Sequence, residues 1–256
     1  MPLLRINNLT HYFGGLRAVH NFHESLEEGE LVGLIGPNGA GKSTIFNLIS
    51  GIYRPTEGEI TLNGTNLVGL RPHKISSMGI GRTFQKLRLW NELSVLDNVK
   101  IAQHSHISYG LGEALLRIGR YHKEERKIEE QAYELLRTLG IERYAKQKVG
   151  NLPYGDQRRV EIARALALKP KVLLLDEPTC GMDPAEMMEM MELIQRIREE
   201  FALAIILIEH RMKIIMNLCQ RIKVIDFGEI IANGTPDEIR NNPRVIEAYL
   251  GKEVEV

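Results

Sequence analysis

An α/β fold organised around a phosphate-binding loop is what this 256-residue sequence predicts, on three observations. The first is Gly36-Pro37-Asn38-Gly39-Ala40-Gly41-Lys42-Ser43-Thr44, which fits G-x-x-x-x-G-K-[ST] with the apolar run 30–35 (ELVGLI) before it and a helical pattern after it. The second is a pair of all-apolar runs, 172–175 and 203–208, of the kind found in a parallel sheet covered on both faces. The third is a change to helical spacing over residues 94–148, with no strand pattern inside it.

A chain of this length can bury a full core as one large domain or as a domain with a subdomain. Its 33 Lys and Arg balance 33 Asp and Glu, so no net field draws it to nucleic acid, and no nucleic-acid partner is expected. The longest apolar runs fall well short of the ~20 residues of a membrane span, and Met1-Pro2-Leu3 opens no signal-peptide pattern. A cytoplasmic protein is the expectation. Cys180 and Cys219 are too few and too far apart for a CxxC site or a disulfide framework.

Taken in order, residues 3–7 and 16–25 read as strands, with His11-Tyr12-Phe13-Gly14-Gly15 as the turn between them. A ring placed there can stack a nucleotide base, although an aromatic beside a turn more often packs. His20 and His23 fall on opposite faces of the second strand and are ordinary residues. A helix over 42–50, a turn cluster over 51–58, a short strand over 59–63 and a short helix over 72–78 follow. The apolar stretch 80–84 then leads directly into Gln85, at the strand edge where open α/β sheets bind ligands.

Within 94–148 the charged run 122–130 reads as a solvated helix face, and His104-Ser105-His106 lacks a third metal ligand nearby. A periodic helix opens at Leu152-Pro153-Tyr154-Gly155-Asp156-Gln157 and ends before Lys169-Pro170. The strand over 171–176 ends in Asp176 and Glu177, and carboxylates there are costly unless a metal or a reaction uses them. Asp183-Pro184-x-Glu186 caps a helix over 184–199, and the next strand runs into Glu209-His210-Arg211. Strands over 222–226 and 229–232 close the sheet, and Thr235-Pro236-Asp237-Glu238 caps a helical tail to about residue 250.

Four elements thus carry chemistry at a strand edge or a helix start: the loop, Gln85, Asp176-Glu177 and His210. Hydrolysis of a phosphoanhydride needs such a set. The loop glycines aim successive N–H groups at a polyphosphate, and the following helix N-terminus adds positive potential. Lys42 reaches the β- and γ-phosphates, while Ser43 and, through water, Asp176 hold Mg²⁺, with Gln85 as a third residue assigned to the metal. Glu177 orients or deprotonates the attacking water, and His210 and Lys42 stabilise charge on the γ-phosphate. The candidate catalytic set is therefore Glu177, His210, Lys42 and Gln85.

In their order and spacing these motifs resemble the nucleotide-binding subunits of ABC transporters over essentially the whole chain. The Walker A loop is Gly36 to Thr44, the signature lies at Leu152 to Gln157, Walker B is Val172 to Asp176 with Glu177, the D-loop is Cys180 to Asp183, and the switch histidine is His210. The resemblance implies one ABC ATPase domain over 1–256. Within it, a P-loop NTPase core of the recombinase-like type, with a small antiparallel β-subdomain, spans 1–86 and 159–235. An inserted helical subdomain spans 87–158, and a C-terminal helical tail 236–256. The implied ligands are ATP and ADP with Mg²⁺, and Phe13, just before Gly14, matches the adenine-stacking aromatic, with Tyr12 the second choice. The resemblance also implies a head-to-tail dimer, homodimer or heterodimer with a sister ATPase, in which Pro153, Tyr154, Gly155 and Asp156 of one subunit cover the ATP held by the other. Implied partners are transmembrane permease subunits and, indirectly, a substrate-binding protein, with the chain peripheral on the inner face of the membrane.

Finer details resemble the branch that powers high-affinity uptake of branched-chain amino acids: Gly81-Arg82-Thr83-Phe84-Gln85, Asn98-Val99, Tyr154-Gly155-Asp156-Gln157-Arg158-Arg159, and the tail Ile239-Arg240-Asn241-Asn242-Pro243 with Ala248-Tyr249-Leu250-Gly251. Cargo such as urea, an amide or a lipid is the alternative within transport, and a soluble non-transport ABC ATPase the alternative outside it. One cassette and a modest helical region speak against the latter. The signature departs from the usual Leu-Ser-Gly-Gly-Gln, since Pro153, Tyr154 and Asp156 stand where Ser, the first Gly and Gln would be. Trans contact with ATP then falls to backbone N–H groups near Gly155.

Overall fold

The computed structural model describes residues 2–104, 107 and 109–250. Ser105 and His106 of the weighed metal cluster, and residues 251–256 of the tail, lie outside the described residues. Strands β3 (Leu31–Ile35), β6 (Ile80–Arg82), β7 (Val172–Asp176), β8 (Ala204–Ile208) and β9 (Arg221–Asp226) run parallel, and β10 (Glu229–Gly234) joins β9 antiparallel. The order is β10-β9-β3-β8-β7-β6, so β3, β8 and β7 lie adjacent in the middle of the sheet. Because the strands are parallel, the loops that follow them open at one edge, which is where the chemistry-bearing residues gather.

Every residue of β3, β7 and β8 is buried, and the pleat divides them between two apolar layers. Leu31, Ile35, Leu173, Leu175, Ile205 and Leu207 face helices α6 (Tyr154–Leu166), α7 (Pro184–Glu200) and α8 (Met212–Leu218). Val32, Leu34, Leu174, Ile206 and Ile208 face α1 (Lys42–Ile49) and a second, antiparallel sheet. That sheet has the order β2-β1-β4-β5, from β1 (Leu4–Phe13), β2 (Leu16–Leu26), β4 (Glu57–Leu62) and β5 (Thr65–Asn66). These all-apolar strands read correctly from sequence because a sheet covered on both faces requires no polar alternation.

The expected turn at His11–Gly15 is shorter in the structure. Strand β1 runs on through Phe13, which pairs with Leu16, so only Gly14 and Gly15 make the turn. A two-residue hairpin needs positive φ, which Gly14 supplies at 59°, and the aromatics are better placed in the strand than in the turn.

The helical stretch is also subdivided, into α3 (Val95–Gln103), α4 (Leu111–Leu116) and α5 (Tyr121–Thr138), then short 3₁₀ turns at Glu142–Tyr144 and Val149–Asn151. Val95, Val99, Ala132 and Leu136 bury one side of this insertion against the same apolar layer as Val160 and Ala163 of α6. Helix α6 runs without a break across position 158, where a boundary is expected. The predicted caps form as written: Asp183 accepts from Ala185 N–H at 2.8 Å and Glu186 N–H at 2.9 Å, and Thr235 accepts from Glu238 N–H at 3.4 Å. The tail divides into α9 (Pro236–Arg240) and α10 (Pro243–Leu250). Short helix α2 (Pro72–Ser77) stands where expected.

Candidate active site

The loop from Gly36 to Gly41 leaves β3 and turns into α1. Gly36 has φ 152°, and a Cβ there would lie 2.0 Å from the Ile225 carbonyl oxygen, so no side chain fits between the loop and β9. Gly41, with φ 105°, meets the Ala18 carbonyl at 2.6 Å in the same way. Lys42 is buried and folds back over its own loop, donating to the Gly36 and Pro37 carbonyls at 2.6 and 2.8 Å. The Tyr249 hydroxyl of α10 accepts from Gly36 N–H, and burial pushes its phenol up to about 12.

A cleft of about 480 Å³ opens over this loop, lined by Asn38, Gly39, Ala40, Gly41, Lys42, Ser43 and Thr44, and by Gln85, Glu177 and His210 from the ends of β6, β7 and β8. That volume lies within the range of small-molecule sites. Phe13 lines the cleft and packs edge-on against His11 and Tyr53. Tyr12, the next residue along β1, is not on the cleft, because successive side chains of a strand point to opposite faces. Phe227, in the β9–β10 turn, is a second ring on the cleft that the sequence reading did not single out. Gly36 and Pro37 form the wall of the loop rather than its lining. Pro153, Tyr154, Gly155 and Asp156 stand at the start of α6, away from this cleft.

Glu177 is held from both sides. Its Oε1 lies 2.7 Å from His210 Nε2, and its Oε2 accepts from Gln85 Nε2 at 3.1 Å. Its backbone sits at φ 48°, unusual for a residue with a Cβ, and its N–H donates to the Ile208 carbonyl at 2.9 Å. A carboxylate so placed, at the end of a cleft floored by loop N–H groups, can orient a water and take its proton.

Asp176 is buried behind Glu177. One oxygen lies 3.5 Å from Arg82 Nη2, while Oδ1 is buried with no hydrogen-bond partner in the structure. Burial raises its pKa, Arg82 opposes the rise, and the neighbouring Glu177 adds to it. An orphaned carboxylate oxygen, the exposed Ser43 hydroxyl and the Gln85 amide make a donor set of oxygens, the type Mg²⁺ takes. No cluster of three or more His, Cys, Asp or Glu side chains suited to a metal occurs among the described residues. Such a sparse set suits an ion held largely by substrate phosphates and water.

Two supporting groups escaped the sequence reading. Arg82 donates to Asn47 and Ser50, tying β6 to α1 while it faces Asp176. Arg158, at 1% exposure, donates to the Phe84 carbonyl at 2.6 Å, the Gln85 carbonyl, Tyr154 Oη at 3.0 Å and Glu161 at 2.7 Å. Glu161 in turn accepts from Phe84 N–H at 3.1 Å, so α6 grips the segment carrying Gln85. In the sequence both stand inside runs that carry the family resemblance, without a role of their own, and Arg158 shows besides only an i,i+3 charge pair on a helix, which is ordinarily solvated. Arg158→Ala takes the countercharge from the buried Glu161 carboxylate and the donors from two carbonyls, and it should lower unfolding free energy by about 3–5 kcal/mol. Urea unfolding checks this, and a loss under ~1 kcal/mol would mean that water replaces the guanidinium.

The phosphate loop, the paired acids after β7 and the histidine after β8 define a nucleotide-binding hydrolase of the P-loop class. A family model described as ABC transporter matches residues 19–180, and one described as branched-chain amino acid ATP-binding cassette transporter matches 229–255. The chain is 47% identical over 251 residues to the high-affinity branched-chain amino acid transport ATP-binding protein LivG of Salmonella typhimurium, covering 98% of each chain. Among solved structures it is similar to the ADP conformation of MJ1267, an ATP-binding cassette of an ABC transporter (TM-score 0.85, 30% identity, covering 98% and 99% of the two chains). It is also similar to the dimeric cassette MJ0796 bound to ADP and Pi (TM-score 0.76, 28% identity, covering 91% and 98%). The chain belongs to the ABC transporter family, as an ATP-binding cassette that hydrolyses ATP.

Proposed function

We propose that this chain is the ATPase subunit of an importer for branched-chain amino acids, acting as one half of a cassette dimer on the inner face of a membrane. What carries the reading is the likeness to LivG over nearly the whole chain, together with the match of residues 229–255 to a model specific for branched-chain amino acid cassettes. No helix among the described residues is long and apolar enough to cross a membrane, which suits a peripheral subunit bound to permease partners. The test is purification of the native complex through this chain, followed by reconstitution. Permease subunits should co-purify, and vesicles should accumulate leucine, isoleucine or valine with ATP. Accumulation of urea or an amide instead, or extraction of lipid, would overturn the cargo.

In this reading the loop N–H groups and Lys42 bind the phosphates, Lys42 exchanging its bonds to Gly36 and Pro37 for phosphate oxygens. Mg²⁺, when bound, neutralises phosphate charge, and Ser43, Gln85 and, through water, Asp176 are the residues that would hold it. Glu177 takes the proton of the attacking water. His210 fixes the Glu177 carboxylate and faces the γ-phosphate, and Phe13 stacks the base. Pro153, Tyr154, Gly155 and Asp156 close the site from the second subunit.

Coupling to the permease is assigned to the groove of about 330 Å³ between β6 and the helical insertion, whose walls include Ile80, Phe84, Arg88, Trp90, Ile101 and Leu168. Trp90 stacks under Arg164, and Phe84 under Arg88, so the groove offers aromatic faces and cations to a short helix of a partner. Trp90→Ala should weaken docking by about 2 kcal/mol, the scale of an interface hot spot. Transport in vesicles should then fall while the ATPase rate of the isolated chain stays at the parental level. A loss of both in strict proportion would remove the groove from this role.

A further inference from the structure

We propose that Glu209 is a positioning residue for hydrolysis: its buried carboxylate ties the loop after β8, which carries His210, to the loop after β7, which carries Glu177. The proposal rests on the reading of Glu177 and His210 as the hydrolytic pair.

The ladder between β7 and β8 ends at the pair Asp176 and Ile208, with one further bond from Glu177 N–H to the Ile208 carbonyl. Past that point the two loops are joined by a side chain. Glu209 is 4% exposed, and its Oε1 accepts from Thr179 N–H at 3.0 Å and from Thr179 Oγ1 at 2.7 Å. The N–H of His210 donates to the same carboxylate. Thr179 itself is fully buried, two residues beyond Glu177 and one before Cys180. A carboxylate brought this deep is costly unless donors converge on it, and here three do, two from one loop and one from the other.

This bridge acts where the backbone is least able to hold itself. Glu177 occupies the left-handed region, which persists only when neighbouring contacts over-determine it. Its 2.7 Å contact with His210 spans the same two loops as the Glu209 bridge, so the catalytic contact and the buried one brace each other. Releasing the buried member lets Glu177 and His210 drift apart without touching the residues that bind phosphate.

The test uses the full chain with Glu209→Ala, Glu209→Gln and Thr179→Val, measuring kcat and KM for ATP and thermal midpoints. Glu209→Ala should lower kcat by about 10- to 10²-fold, the scale of a misplaced catalytic group, while KM stays within about twofold. Glu209→Gln keeps an oxygen for both Thr179 donors and should recover most of kcat, with Thr179→Val falling between. Parental kcat in Glu209→Ala overturns the proposal, as does a loss that Gln fails to recover or that appears equally in KM. Should Glu209→Ala not fold, Thr179→Val decides, and parental turnover in it overturns the proposal. Turnover by Glu177→Gln at the parental rate would instead sink the underlying reading of the pair, a result distinguishable because it leaves the Glu209 variants' own kcat values in place.

Discussion

Glu177→Gln is expected to bind ATP as the parent does and to lose at least ~10² in turnover, the lower end of what a general base contributes. The substitution is close to isosteric and leaves the surrounding contacts able to form. The amide oxygen can still accept from Gln85, and neutral His210 can present its ring nitrogen as an acceptor to the new NH₂. Nucleotide binding depends on the loop from Gly36 to Thr44, which the change does not reach. ATP that is bound but not cleaved should therefore hold two subunits together, visible as a nucleotide-dependent dimer in sedimentation. Near-parental hydrolysis would take the role of base away from Glu177.

In that trapped background, Gly155→Val should abolish the ATP-driven dimer while leaving ATP on the subunit's own loop. The structure makes this a clean test. A Cβ on Gly155 meets only the far end of Glu186, with Oε1 at 3.4 Å, so the lone subunit can accommodate a small side chain there. What valine blocks is the approach of another subunit's nucleotide to the first N–H groups of α6. Pro153→Ser is the complement. Pro153 is the N-cap of α6 and supplies no side-chain cap, so a serine hydroxyl would bond first to the helix's own N–H groups and add ~1 kcal/mol to helix stability. Any tightening of the dimer should consequently fall well below the ~1.5–3 kcal/mol of a free hydroxyl bonding a charged phosphate. If Gly155→Val dimerises like its parent, the start of α6 does not close the site.

The central strands and the loop were legible because each is written locally: unbroken apolar residues for a doubly covered sheet, and for the loop the spacing of Gly36, Gly41, Lys42 and Ser43 directly after an apolar strand. The same holds for Asp183 and Thr235, whose capping partners lie three residues away. The insertion was legible as helical but not in its parts, since apolar spacing does not say where α3, α4 and α5 stop. Arg158 and Glu209 were illegible for a deeper reason. A charged residue is solvated by default, and what buries these two is a loop from a strand far away in sequence, Phe84–Gln85 for one and Thr179 for the other. Phe13, the first choice for the base, and Tyr12, the second, differ only by the pleat, and Phe13 is the one on the cleft.

The two cysteines stand in opposite circumstances. Cys219 is buried, and burial pushes its thiol well above the ordinary range, so it resists alkylation in the folded chain. Cys180 is exposed, one residue past the threonine that Glu209 holds and three before the cap of α7. The natural sequence thus carries a single addressable handle on the segment linking Glu177 to α7. A fluorophore or spin label attached there, with no engineered residue elsewhere, reports on that segment as nucleotide and partner come and go.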